Sequence, residues 1–164
     1  MDSHAKQVML ESKYLIILGS TGAGKTFIAC ALGRSACEQD LNTRYFRLPR
    51  FFQELKFAQL EGTYPHLIKS LHKTDLLILD DWLRDKPSLV EAQFLLDILD
   101  DRYGRMSTML VTQFPIASWH ARIPDVTLAD AILDRLVHNA HRIELQGESQ
   151  RKLRADSSCR PLDV

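Results

Sequence analysis

An eight-residue glycine-rich segment constrains this chain more than any other feature of its sequence. Gly19–Thr26 (GSTGAGKT) satisfies the pattern GxxxxGK[ST] and stands between a predicted strand, Tyr14–Leu18, and a predicted helix that begins at Lys25. Such a turn brings backbone N–H groups and the positive end of a helix dipole to one point, where they bind phosphate oxygens. The segment therefore predicts an α/β fold with a nucleotide site at the end of its first strand.

The residues of this segment have separate roles in binding ATP and Mg²⁺. Its glycines let the backbone wrap closely around a triphosphate and adopt positive φ. Lys25 is predicted to reach the β- and γ-phosphates, and the Thr26 hydroxyl to coordinate Mg²⁺. The alternative is a flexible turn without a ligand. The complete set of predicted phosphate-binding residues is Gly19, Ser20, Thr21, Gly22, Ala23, Gly24, Lys25 and Thr26.

Short apolar runs alternate with segments of helical periodicity along the rest of the chain, which predicts a parallel sheet flanked by helices. Leu76–Leu79 is apolar throughout, as expected of a central strand buried on both faces. The other predicted strands are Thr43–Leu48, Thr108–Val111 and Arg142–Leu145. The predicted helices are 25–38, 49–60, Tyr64–His72, one from about Val90 that ends at Gly104, and Leu128–Asn139.

The chain has 164 residues, which is enough for one domain of ordinary size. We assign 14–146 to an ATP-binding domain, 1–13 to an N-terminal extension and 147–164 to an exposed C-terminal tail. No apolar run is long enough to span a bilayer, and residues 1–13 lack the apolar stretch of a signal peptide. We therefore expect a cytoplasmic protein without a membrane partner.

Charge is balanced over the whole sequence but not along it. Lys+Arg and Asp+Glu both number 21, which excludes a globally basic DNA-binding protein; any DNA binding must come from a local basic patch or from an assembly that repeats one. Residues 42–56 carry four basic residues against one acidic residue, and residues 75–104 carry eight acidic residues against three basic ones. A solvated helix face is the alternative explanation for both segments. The cysteines are interpreted as small buried or incidental thiols: Cys30, Cys37 and Cys159.

Two adjacent aspartates follow the apolar strand Leu76–Leu79. In open α/β sheets ligands bind at the carboxyl ends of strands, so Asp80 is predicted to support Mg²⁺ and Asp81 to orient the attacking water. Turn or helix-cap roles are the alternatives. Gln113, after the strand Thr108–Val111, is predicted either to sense the γ-phosphate or water, or to be a polar turn residue.

Arg135 lies within an otherwise apolar predicted helix. From the residues alone, a salt bridge to Asp130 or Asp134 and a solvent-facing charge are both open.

Longer motifs carry a resemblance over nearly the whole chain. Leu15 to Ala155 resembles the IstB-like family of insertion-sequence ATP-binding proteins, which is related to the helicase loader DnaC and the initiator DnaA among the AAA+ ATPases. The segments that carry this resemblance are Gly19–Thr26, RLPR at Arg47–Arg50, LLILDDW at Leu76–Trp82, DDRYGRMST at Asp100–Thr108, TLADAILDRLVHNAHRIEL at Thr127–Leu145 and GESQRK at Gly147–Lys152.

The resemblance implies a P-loop NTPase of AAA+ type whose small helical lid is absent or vestigial. It implies an ATPase that forms a homo-oligomer on double-stranded DNA and helps a transposase choose its target. By matching motif positions, it assigns Lys25, Asp81 and Gln113 to catalysis. It also assigns Arg135 as an arginine finger acting on a neighbouring subunit, because charge builds on the γ-phosphoryl oxygens in the transition state. DNA contacts are expected from Arg44, Arg47, Arg50 and Lys56.

The sequence departs from the family in two places. Relatives carry a longer helical region before the first strand, where thirteen residues precede Tyr14 here, and they usually have glycine where this chain has Leu83. Three other functions are weighed: a helicase loader with the same ATP chemistry, a nucleotide-binding module without turnover, and a small-molecule phosphotransferase. DNA-stimulated phosphate release would distinguish the transposition helper from the last two.

Overall fold

The computed structural model describes residues 14–138 and 140–147. The predicted extension 1–13, most of the tail 147–164 and Cys159 lie outside them. The strands are β1 (Tyr14–Gly19), β2 (Thr43–Arg47), β3 (Leu76–Asp80), β4 (Ser107–Thr112) and β5 (Ala140–Leu145). The helices are α1 (Lys25–Cys37), α2 (Leu48–Leu60), α3 (Tyr64–His72), α4 (Leu89–Arg102), α5 (Trp119–Arg122) and α6 (Val126–Val137), with a 3-10 turn at Ile116–Ser118.

The five strands form one parallel sheet in the order β2-β3-β4-β1-β5. β4, the fourth strand along the chain, therefore lies between β1 and β3. Because all strands run the same way, their carboxyl ends meet at one edge, where the segments after β1, β3 and β4 become neighbours. The prediction of a parallel sheet flanked by helices is confirmed.

The two faces of the sheet are covered unequally. Within residues 14–138 and 140–147, α1 is the helix that covers one face, where Ala29 and Ala36 pack with Ile17 and Ile78. The approach is close at Gly33, where an added Cβ would come within 2.8 Å of the Cδ1 atom of Ile78. The other helices cover the opposite face, which holds the larger core and both tryptophans.

Several element boundaries differ by a few residues from the predicted ones, and two of the differences have a local reason. The second strand ends at Arg47 and α2 begins at Leu48, because the fixed φ of Pro49 suits the first helical turn. Helix α6 begins at Val126 and not at Leu128, because the Asp125 side chain accepts a hydrogen bond from the Leu128 N–H and caps the helix. The last strand begins at Ala140, before the predicted Arg142.

The segment after β4 contains short helices that the sequence analysis did not predict. The 3-10 turn and α5 are too short to show a helical period. They are held by Trp119, which is fully buried and donates its indole N–H to the Phe114 carbonyl at 3.0 Å.

The amino edge of the sheet contains a buried arginine. Arg102, 1% exposed, donates to the carbonyls of Leu71, Thr74 and Ser107 and to the Thr108 hydroxyl. Burial lowers the Arg102 pKa to about 10. Among the described residues, no helix combines the length and the apolar character needed to cross a bilayer.

Candidate nucleotide-binding and hydrolysis site

The glycine-rich segment forms a tight loop between β1 and α1. Gly22 and Gly24 have φ values of 84° and 91°, which side chains rarely adopt, so glycine is required at both positions. Gly24 is also the N-cap of α1, and no side chain caps the helix. The first N–H groups of α1 are therefore directed towards the carboxyl edge of the sheet, as phosphate binding requires.

The Lys25 side chain folds back over this loop. Its ammonium donates to the carbonyls of Gly19 at 2.8 Å and Ser20 at 2.7 Å. Partial burial lowers the Lys25 pKa, while the carboxylates of Asp80 and Asp81 act in the opposite direction. The loop thus holds a cation beside two acidic groups, in the arrangement expected around a triphosphate.

Asp80 lies at the end of β3 and is only 3% exposed. Its Oδ2 atom accepts hydrogen bonds from the Thr26 hydroxyl at 2.7 Å and the Tyr45 hydroxyl at 2.7 Å. Its Oδ1 atom accepts the Asp81 backbone N–H at 2.7 Å. Burial, together with the bond to Asp80, raises the Tyr45 pKa.

The pair formed by Thr26 and Asp80 fits a magnesium ion. Mg²⁺ prefers hard oxygen ligands and binds NTPase sites through one or two protein oxygens together with phosphates and water. The described residues contain no cluster of three or more His, Cys, Asp or Glu side chains arranged for a metal. A hydroxyl and one buried carboxylate beside a phosphate loop suit an ion that binds together with a nucleotide.

Asp81 is held by two arginines. Its Oδ2 atom lies 3.0 Å from Arg47 Nε and 3.2 Å from an Arg84 guanidinium nitrogen. Asp81 has a φ of 56°, a left-handed conformation that aspartate and asparagine tolerate better than most residues. The predicted hydrolytic carboxylate is thus at the site, and in this conformation it is ion-paired.

The turn after Asp81 is fixed by β4. The Trp82 N–H donates to the Val111 carbonyl at 2.8 Å, and the Thr112 hydroxyl donates to the Trp82 carbonyl at 3.0 Å. Leu83 has a φ of 54° and a fully buried side chain. The Leu83 side chain therefore packs in the core although its backbone has a left-handed conformation, which glycine would adopt without strain.

Gln113 follows β4 and faces the phosphate loop. Its Oε1 atom accepts a hydrogen bond from the Thr21 hydroxyl. The predicted sensor residue is thus next to the nucleotide-binding loop, and its contact crosses from the end of β4 to the segment after β1.

Arg135 lies near the amino edge of the sheet, whereas the glycine-rich loop lies at the carboxyl edge. It is in the last turn of α6, which leads into β5, and the first residue of β5 pairs with the first residue of β1. The phosphate loop follows the far end of β1, roughly 16 Å away along a six-residue strand. Arg135 donates to Asp100 at 2.6 Å and to Asp134 at 3.1 Å.

These contacts decide between the ion pairs considered from the sequence. The Asp134 contact is present. The Asp130 alternative is wrong, because Asp130 pairs with His120 at 2.9 Å. The contact to Asp100 on α4 was not predicted, and hydrogen bonding to it raises the Arg135 pKa.

The four basic residues predicted to contact DNA have different surroundings. Arg44 donates to the Ser70 hydroxyl and lies 4.8 Å from the Phe46 ring centre, and Arg47 pairs with Asp81. Arg50 is exposed on α2. Lys56 lines a cleft of about 250 Å³ between α2 and the segment after β3. The cleft also contains Asp81, so this basic surface adjoins the candidate hydrolysis site.

Tyr45 and Arg84 are site residues that the sequence analysis missed. The available sequence signal for Tyr45 was the alternation of β2, which puts Tyr45 on the same face as Arg47, a residue already predicted to be functional. Arg84 had no comparable signal. The contacts of both depend on the pairing of β2 with β3 and on the turn after Asp81.

Comparison with known proteins identifies the family. A family model described as IstB-like ATP binding protein matches residues 5–158. The chain belongs to this IstB-like family. The insertion sequence ATP-binding protein y4pL of Sinorhizobium fredii is 50% identical over 138 residues, which are 84% of this IstB-like chain and 56% of that protein. The IS232 ATP-binding protein of Bacillus thuringiensis is 31% identical over 153 residues, 92% of this chain and 60% of its own length.

This IstB-like chain spans about half the length of the curated relatives it matches. Its fold is similar to that of the DnaC helicase loader, with a TM-score of 0.72 at 20% identity over 87% of this chain and 86% of that one. A structure of the replication initiator DnaA bound to AMPPCP and single-stranded DNA gives a TM-score of 0.74 at 18% identity. The match covers 97% of this chain and 51% of that one. The predicted α/β fold, a phosphate-loop domain with a parallel sheet flanked by helices, is confirmed.

Lys25→Ala is expected to weaken ATP binding by about 1.5–3 kcal/mol, or roughly 10–150-fold, because it removes a charge-assisted contact to the phosphates. Titration with a fluorescent ATP analogue measures the effect. Lys69→Ala, on α3, is the matched control. Equal affinity of Lys25→Ala and the unsubstituted protein would show that the loop does not bind the triphosphate.

Proposed function

We propose that this chain is an ATPase that assembles on double-stranded DNA and assists a transposase in choosing its target. The observation that carries the proposal is the convergence of Lys25, Thr26, Asp80 and Asp81 at one edge of the sheet in a member of the IstB-like family. The names of the relatives, which are insertion sequence ATP-binding proteins, support the transposition role.

The proposed chemistry assigns a task to each group at this edge. The N–H groups of the loop and the Lys25 ammonium bind the phosphates, and Mg²⁺ bound with ATP supplies charge neutralisation. Thr26 and Asp80 hold the ion. Asp81 orients the attacking water, and Gln113 lies where an amide can contact the water or the γ-phosphate.

The ion pairs of Asp81 give a physical reason for weak, DNA-dependent turnover. A carboxylate that is ion-paired with Arg47 and Arg84 has less capacity to orient a water. Arg47 also belongs to the basic surface proposed to contact DNA. A DNA phosphate that binds Arg47 competes with Asp81 for the guanidinium, so DNA binding favours a freer carboxylate.

Arg135 supports assembly as part of the same proposal. It lies at the edge of the sheet opposite its own phosphate loop, so a γ-phosphate that it contacts belongs to another subunit. The active site is then completed only when chains associate, which makes hydrolysis dependent on the oligomer.

A nucleotide-binding module without turnover is the second candidate, and the paired state of Asp81 favours it. Phosphate release with and without duplex DNA distinguishes the two: the ATPase is stimulated by DNA, and the module releases no phosphate in either case. Co-sedimentation with the transposase of the same insertion sequence, or with a replicative helicase, tests the transposition role against helicase loading.

Arg50→Ala and Lys56→Ala are each expected to weaken DNA binding to a similar extent for all sequences. Each lost phosphate contact should reduce the slope of log affinity against log salt concentration by about 0.9. In an assembly this reduction is repeated for every subunit. Fluorescence anisotropy of labelled duplexes at several salt concentrations measures the slope. Arg34→Ala, an exposed arginine on α1, is the control. An affinity independent of salt would contradict the proposed surface.

A further inference from the structure

Tyr45 joins the edge strand β2 to the buried carboxylate of β3. Its hydroxyl donates to Asp80 Oδ2 at 2.7 Å, and its backbone is in register with Ile78, two residues before Asp80. The phosphate-loop motif and the aspartate pair contain neither this residue nor its strand. The contact brings a neutral donor to the one acidic side chain of the site that is buried.

Tyr45 completes a set of donors that fixes the rotation of the Asp80 carboxylate. The Oδ2 atom accepts from both Tyr45 and Thr26, and the Oδ1 atom accepts from the Asp81 N–H. An ionised carboxylate offers about four acceptor positions, so about one remains open, on Oδ1. Donors on both oxygens prevent the group from turning about its Cβ–Cγ bond.

We propose that Tyr45 is a positioning residue that holds the Asp80 carboxylate in the orientation needed to bind Mg²⁺ with ATP. This inference rests on the proposed function, in which Asp80 and Thr26 hold the ion. Thr26 must direct a hydroxyl lone pair to the metal, which constrains its hydrogen bond to Asp80. The Tyr45 hydroxyl is not assigned to the metal. Its hydrogen bond therefore fixes the Asp80 carboxylate whether or not the metal is bound.

The geometry gives this role to Tyr45 and not to the other donors. Thr26 belongs to the first turn of α1, and the Asp81 N–H belongs to a residue in a left-handed turn. Tyr45 comes from a strand paired along its whole length with β3, so its ring is carried by the most regular part of the site. Hydrogen-bond partners of metal-binding carboxylates commonly change metal affinity by 10–100-fold when they are removed.

The test is the Mg²⁺ dependence of nucleotide binding by Tyr45→Phe. A fluorescent ATP analogue is titrated in EDTA and then over a range of Mg²⁺ concentrations. We expect the affinity in EDTA to be unchanged and the Mg²⁺ concentration for half-maximal tightening to rise about tenfold. Tyr64→Phe is the matched control, because Tyr64 lies on helix α3 and packs against Phe94 of α4.

Each outcome decides the assignment. An unchanged Mg²⁺ requirement in Tyr45→Phe, with a normal response of the unsubstituted protein, would overturn the positioning role and leave the proposed function standing. Loss of affinity in EDTA would show that the hydroxyl supports the loop or the fold, and would also overturn it. If Mg²⁺ had no effect on the unsubstituted protein, the metal role of Asp80 in the proposed function would fail as well.

Discussion

Arg135→Ala is expected to lower assembly-dependent ATP hydrolysis by a factor of about 10³–10⁵, the range typical of arginine fingers. Nucleotide binding by the single chain should remain nearly unchanged, because Arg135 is at the edge of the sheet opposite its own phosphate loop. Phosphate release and ATP-analogue titration, measured on the same preparation with duplex DNA, separate the two effects. Arg105→Ala, an exposed arginine near the start of β4, is the control.

Mixing two inactive variants tests whether the site is shared between chains. A shared site needs Lys25 from one chain and Arg135 from the next. Lys25→Ala and Arg135→Ala, combined in equal amounts, should therefore rebuild some complete interfaces, and the mixture should hydrolyse ATP faster than either variant alone. If Arg135 serves only to pair with Asp100 and Asp134, its substitution leaves turnover unchanged and mixing restores nothing.

Asp81→Asn is expected to reduce hydrolysis by about 10²–10⁴-fold while ATP affinity is retained, because the amide cannot act as the carboxylate that orients and polarises water. Asparagine keeps the size of the side chain and tolerates the φ of 56°, so the turn should persist. Single-turnover phosphate release measures the effect.

Asp85→Asn is the matched control for this substitution, because Asp85 is exposed and pairs with the same Arg84 guanidinium. If the Asp81→Asn variant hydrolysed ATP at the normal rate, Asp81 would be a turn residue whose charge serves only to pair with Arg47 and Arg84.

Local patterns were sufficient to predict the phosphate loop and the position of Asp80. A glycine motif between a strand and a helix, and an apolar run that ends in aspartate, are features of consecutive residues. The ion pair of Arg135 with Asp100 could not be predicted in this way, because it depends on how α4 packs against α6. The ion pair of Arg47 with Asp81 likewise depends on the register of β2 against β3.

Leu83 shows the limit of comparing residue types at one position. The resemblance to the IstB-like family leads to an expectation of glycine at this position, where the chain has leucine. In the structure the backbone there remains left-handed, at a cost of order 1–2 kcal/mol for a residue other than glycine. Complete burial of the leucine side chain contributes about 1.5–3 kcal/mol, which is enough to offset that cost.

The position of β4 in the sheet determines when the nucleotide site can form during synthesis. Of the five strands described, β1 leaves the ribosome first, yet its Tyr14 pairs with Thr108, and β4 lies between β1 and β3. The loop after β1 and Asp80 after β3 therefore come together only after β4 has inserted between their strands, a contact of high sequence separation that forms slowly. A nascent chain that ends before Thr112 should thus be unable to bind ATP, which makes nucleotide capture a marker of the insertion of β4 between β1 and β3.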